Sequence, residues 1–131
     1  MNRSRLFLII GALYGLLSVA LGAFAAHGLW SMVPADMLAA FETAARYQMY
    51  HSIALLITGL AMERSPLESI RMLNLAGWCF ALGTLLFSGS LYLFVFLQER
   101  WLAAITPLGG AGFLAGWLLL VFSFVKRNRG V

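Results

Sequence analysis

Between Leu6 and Ala26 the chain carries no charged residue, and about 20 residues of helix reach about 30 Å, the thickness of a bilayer's hydrocarbon core. Inside lipid every backbone N–H and C=O has to be paired within the protein, so a continuous apolar run of this length folds as a helix. Comparable runs follow at about 43–62, 73–97 and 102–125. Composition agrees: 62% of the residues are hydrophobic and 11% charged, against roughly 45–50% and 25% in soluble domains. The expectation is an all-α membrane protein in which 1–131 form one domain. Its predicted architecture is a four-transmembrane-helix bundle with a short amphipathic segment before helix 2.

Polar stretches punctuate the runs. Asn2-Arg3-Ser4-Arg5 precedes the first, which also carries a stripe of Gly11, Gly15, Ser18 and Gly22. Such a stripe marks a helix interface, because small residues let backbones approach in lipid. A cleaved signal peptide is the competing reading, since Ala23-Phe24-Ala25 fits a cleavage site after a basic start. The run exceeds the usual ~7–15 apolar residues of a signal peptide, and cleavage would discard the stripe. Gly28 and Trp30 end the first span, and Pro34 suits the start of a helix. From Pro34 to Ala45, Met37, Leu38 and Phe41 oppose Asp36, the pattern of a helix lying partly in the interface before bending into the second span. Glu63 to Arg71 is a loop, Gln98-Glu99-Arg100-Trp101 a tight turn, and Gly112 and Gly116 form a GxxxG pair in the last span.

Seven of the nine Lys and Arg residues (Arg3, Arg5, Arg64, Arg71, Lys126, Arg127 and Arg129) fall on one side if the spans alternate, leaving Arg46 and Arg100 on the other. Both termini are therefore expected in the cytoplasm. The net charge of +4 and pI of 9.8 come from these flanking residues, which form no continuous nucleic-acid-binding patch. The single cysteine, Cys79, offers neither an internal disulfide nor a metal framework.

This topology puts the polar residues of all four spans in the outward half: His27, the cluster Glu42, Arg46, Tyr47, Tyr50 and His51, then Ser88 and Ser90, then Thr106. An outward-facing polar pocket over an apolar floor is expected. On a helix, Glu42, Arg46 and Tyr50 form one i, i+4 row, and Thr43, Tyr47 and His51 form the next. Placing that side inward leaves Ala44, Ala45, Met49 and Ile53 for lipid, with Gln48 and Ser52 at the margin. Arg46 would then be held by Glu42 and by oxygens of Ser88, Ser90 and Thr106, because its five donors find no partner in lipid.

The simplest account of Glu42 and Arg46 is a structural ion pair; the sharper one is a site for a phosphate or carboxylate. His27 and His51 lack the spacing of metal or haem ligands. Ser88 or Ser90 with His51 supplies the residue types of a hydrolase, but the intervening Gly89 is better explained by close helix packing. No catalytic constellation, cofactor motif or metal site emerges. The favoured reading is a non-enzymatic membrane protein whose outward pocket contacts lipid, a small ligand or a partner. The alternative is a small transporter or proton-conducting unit using Glu42, Arg46 and His51. The bilayer is the expected partner, with self-association or a second membrane protein besides. Transport by so small a bundle would require oligomers formed through the Gly11/Gly15 or Gly112/Gly116 stripes.

Four segments in order resemble one known family: Gly22-Ala23-Phe24-Ala25-Ala26-His27-Gly28-Leu29, Phe41 to His51, Leu86 to Tyr92, and Ile105 to Gly110. They are similar to the YgdD/YwdK family of small bacterial inner-membrane proteins, a domain of unknown function. Ala25 stands where that family's pattern has Gly, and Ala45 where it often has Val or Thr. The resemblance implies a four-helix protein of the bacterial inner (plasma) membrane and carries no activity with it.

Overall fold

The computed structural model describes residues 1–128 and, among them, four long helices: α1 (Arg3–His27), α2 (Ala35–Glu63), α3 (Leu67–Leu97) and α4 (Arg100–Asn128). Arg129, counted above among the C-terminal cations, lies outside the described residues. Helices α1, α3 and α4 are long and apolar enough to cross a membrane. The chain is thus an all-α membrane bundle.

Local chemistry sets the helix ends. The side chain of Asn2 accepts the Arg5 N–H at 2.8 Å and caps α1, supplying an oxygen to one of the orphan donors of the first turn. Gly28 closes α1, followed by a short turn of 3₁₀ helix, Leu29–Ser31. Pro34 and Pro66 stand immediately before α2 and α3, where the absent proline N–H leaves no bond unmade. The amphipathic residues expected ahead of helix 2 are the opening turns of α2 itself, which runs unbroken to Glu63.

Helix α1 packs mainly on α2 and α3 on α4, and contact between α2 and α3 joins the two hairpins. One apolar cluster, with Phe7, Leu55, Leu73, Phe80 and Phe113, fills the half of the bundle holding the termini. A second, of Ala25, Leu29, Phe41 and Val95, closes the opposite end. Most of the glycine stripes are spent within the chain, Gly22 excepted, where an added Cβ would meet nothing within 4 Å. A Cβ on Gly11 would meet the Ser52 carbonyl at 3.0 Å, and one on Gly116 would meet the Phe80 ring at 2.7 Å. The oligomer contact expected at these stripes is therefore already occupied by the protein's own helices.

Helix α3 changes character midway, where Leu85–Gly89 form a π-helical turn between α-helical halves. Pro107 interrupts α4 at a similar level; its missing N–H leaves the Ala103 carbonyl without a helical donor.

Candidate functional site

The side of α2 that turns inward is chosen by size. Its positions 45, 48, 52, 55 and 59 alternate in steps of three and four, the 3.5-residue period of two helices in lasting contact. Opposite them stand Ser4, Gly11, Gly15 and Ser18 of α1, and hydroxyls bridge the seam. Ser18 Oγ donates to the Ala45 carbonyl at 2.6 Å and Ser52 Oγ to the Gly11 carbonyl at 2.7 Å. Ser4 Oγ lies 3.0 Å from the Gly59 carbonyl and 3.1 Å from Glu63 Oε1.

Gln48, buried near the middle of α2, uses both ends of its amide. Nε2 donates to the Tyr14 carbonyl at 2.9 Å, and Oε1 accepts the Tyr92 hydroxyl at 2.7 Å. The Tyr14 hydroxyl donates to the Ala81 carbonyl at 2.8 Å. Three helices are tied by neutral groups whose stronger bonding demands are met inside the protein, as lipid requires.

His51 faces the other way, toward α4. Its ring lies parallel to Phe113, centroids 3.5 Å apart at 3°. Nδ1 is 2.7 Å from the Tyr47 carbonyl, and Nε2 accepts the Trp117 indole N–H at 3.1 Å. A carbonyl can only accept and an indole can only donate, so the imidazole is neutral with its proton on Nδ1. Above this pair the flank of the bundle opens into a groove of about 720 Å³. Its lining is Tyr47, Tyr50 and His51 of α2, Phe87 of the π-turn, and Pro107, Gly110, Ala111, Phe113, Leu114 and Trp117 of α4.

Three of the nine residues predicted for one pocket meet here: Tyr47, Tyr50 and His51. Ser90 and Thr106 pair with each other at 2.7 Å, and Ser88 donates to the Ala44 carbonyl at 2.7 Å. His27, Glu42 and Arg46 are exposed. Glu42 and Arg46 line a separate shallow groove with Ser18, Gly22 and Met49, away from the hydroxyls expected to hold Arg46. The expected rotation of α2 is thus corrected: Ala44, Ala45, Gln48 and Ser52, assigned to the lipid side or its margin, are buried. Burying a charged pair means stripping its water, whereas Ala, Ser and Gln bring the backbones together at little cost. Tyr14, Gln48, Tyr92, Phe113 and Trp117 were missed as site residues. Ala45, Ser52 and Gly59 recur every seven residues on α2, and Gln48 lies on the same stripe between the first two. Among the described residues, no three His, Cys, Asp or Glu side chains are grouped as a metal ion would need.

These features define a small all-α membrane protein, two helical hairpins locked by hydrogen bonds of mostly uncharged groups, with an aromatic groove on one flank. The chain belongs to the DUF423 family, described as "Protein of unknown function", whose model matches residues 21–110. A UPF0382 membrane protein of Staphylococcus haemolyticus is 44% identical over 122 residues, covering 93% of this chain and 97% of the relative. YwdK of Bacillus subtilis, also a UPF0382 membrane protein, is 41% identical over 93% of this chain and 98% of its own length. A third, from Staphylococcus aureus strain USA300, is 43% identical over 93% and 97%. No solved structure matches the chain. The matched region contains Gln48, His51, Ser88, Ser90, Tyr92 and Thr106; Tyr14, Phe113 and Trp117 lie outside it.

Proposed function

We propose that this protein works without catalysis, holding an apolar molecule of the bilayer in the flank groove above His51. The observation carrying this reading is the groove itself: about 720 Å³, within the usual size of small-molecule sites, walled by aromatic rings and floored by a polar pair. Its make-up also departs from what packing asks. A Cβ on Gly110 would meet only Phe87, at 3.9 Å, so helix packing gives no reason for a glycine there, yet any longer side chain would intrude on the groove. The proton-conducting alternative has less support. Both nitrogens of His51 are engaged, and Glu42 lines a different groove.

Four spans in the bacterial inner membrane, with both termini cytoplasmic, complete the proposal on the strength of the Lys and Arg distribution. Helix α2 would cross beside α1, its polar side chains bonded to that neighbour. Reporter fusions after Arg71 and Arg127 are expected to read cytoplasmic and one near Pro34 external; an external C-terminus would overturn the assignment. The ligand reading is tested by purifying wild type and Gly110→Leu from native membranes and comparing solvent extracts by mass spectrometry. Wild type should carry a species enriched over bulk lipid that the variant lacks. Identical extracts would sink it.

A further inference from the structure

The groove's chemistry narrows what it would hold, an inference that rests on the ligand-binding reading above. None of the ten lining residues is charged, and His51 is held neutral by its two partners. An ionised head buried among these residues would find no partner of opposite charge, which disfavours phospholipids lodged by their phosphates.

Six of the ten linings are rings: Tyr47, Tyr50, His51, Phe87, Phe113 and Trp117. They contact one another in series. Tyr47 lies 5.5 Å from Tyr50 and 5.0 Å from Phe87, and Phe87 lies 5.2 Å from Phe113, centroid to centroid. An acyl chain would be served equally well by leucines, whereas a flat ring also gains from offset or edge-on contact with aromatic walls.

Tyr47 and Tyr50 are 38% and 49% exposed, and no described residue bonds either hydroxyl. A molecule covering them strips their access to other partners, so it has to offer oxygen acceptors in return. Carbonyl oxygens on an uncharged ring meet that demand without bringing a charge. We infer that the groove takes a lipid-soluble quinone, its ring against the aromatic wall and its carbonyl oxygens accepting from Tyr47 and Tyr50.

The test uses the full chain in phosphatidylcholine nanodiscs with Trp30, Trp78 and Trp101 replaced by Phe, so that Trp117 alone fluoresces. A decyl-substituted benzoquinone is titrated, and hexadecanol and dodecyl phosphate serve as competitors. Saturable quenching is expected, weakened about tenfold by the double change Tyr47→Phe and Tyr50→Phe and abolished by Gly110→Leu. Should Gly110→Leu fail to fold, Ala111→Phe on the exposed rim replaces it as the blocking variant, leaving Trp117 the only tryptophan. Both competitors should displace the quinone at least tenfold less well than a second quinone does. Quenching that rises linearly, or that ignores the tyrosine changes, overturns the inference. If hexadecanol competes as well as a quinone and the blocking variant removes both, this inference fails while the broader ligand reading stands. If no probe binds in a manner that the blocking variant abolishes, both fall.

Discussion

Gly109 and Gly110 are neighbours in α4, and the structure assigns them opposite responses to one added methyl group. A Cβ at Gly109 would run into the Phe87 backbone N and stand 2.7 Å from the Gly83 carbonyl oxygen, both in α3. Neither backbone atom can swing aside, so α3 and α4 would have to part by several tenths of an ångström. A gap of about 0.5–1 Å already forfeits a quarter to a half of each contact's attraction, and the loss would spread to the Phe113–Gly83 and Phe80–Gly116 contacts. Overpacking of this kind costs about 1–3 kcal/mol. At Gly110 the same methyl group meets only Phe87 at 3.9 Å. Both replacements gain the same helix propensity, about 0.8–1 kcal/mol for Gly→Ala, so it cancels in the comparison. Gly109→Ala should therefore be less stable than Gly110→Ala by about 1–3 kcal/mol, and Gly110→Ala at least as stable as wild type. Reversible unfolding in mixed dodecylmaltoside and dodecyl sulfate micelles, followed by circular dichroism, measures the difference. Equal stability of the two variants would refute the α3–α4 contact and the rotation of α4 with it.

Three further outcomes follow from the same packing. A double-mutant cycle with Gln48→Leu and Tyr92→Phe should give a coupling of about 0.6 kcal/mol and no more than about 1.7 kcal/mol, the range for interhelical hydrogen bonds in lipid; zero coupling would remove Gln48 from the centre of the bundle. Arg46→Ala, Glu42→Gln and the paired Glu42→Gln, Arg46→Gln change should all lie within about 0.5 kcal/mol of wild type in the same unfolding assay, because both side chains are exposed. A loss above about 2 kcal/mol for Arg46→Ala alone would restore the buried ion pair. Trp117→Phe should cost about 0.5–1.5 kcal/mol by taking the donor from His51 Nε2, and should move the His51 Nε2 resonance in nitrogen NMR while leaving that of Nδ1 in place. An unmoved resonance would mean that the indole is not its partner.

Much of the fold is legible because lipid leaves few choices: apolar runs of the right length become helices, and Gly28 and Pro34 stand at the end of one and the start of the next as expected. Gly11, Gly15 and Gly116 also read correctly as packing positions, though for this chain's own helices, while Gly22 packs against nothing. Ser88, Ser90 and Thr106 are legible as polar contacts between helices, but they are satisfied by the Ala44 carbonyl and by one another, not by Arg46 as expected. Charge is the wrong guide to the rotation of α2. Glu42 and Arg46 are the most polar residues of the stretch, and for that reason they are the costliest to bury. Gln48 carries its donors and acceptor without a charge and could go inside. Trp117 and Tyr14 escaped notice because an aromatic residue in an apolar run looks like any other until its N–H or hydroxyl is seen to have a partner.

The π-turn of α3 makes chain length, as well as side-chain identity, decisive at one place. A turn closed by i to i+5 bonds takes in one residue more than an α-turn. Everything beyond it is set off by about 100° from where an uninterrupted helix would put it. That offset is how a single helix presents Phe80 and Gly83 to its neighbours on one side of the turn, yet aims Ser90 at Thr106 and Tyr92 at Gln48 on the other. Deleting one residue between Leu85 and Gly89 would leave a smooth α-helix with both halves still in register, whereas straightening the turn with all five residues kept would swing the half of α3 beyond it by about 100°. The hydroxyls of Ser90 and Tyr92 would sweep away from their partners, and Phe87 would leave the wall of the groove.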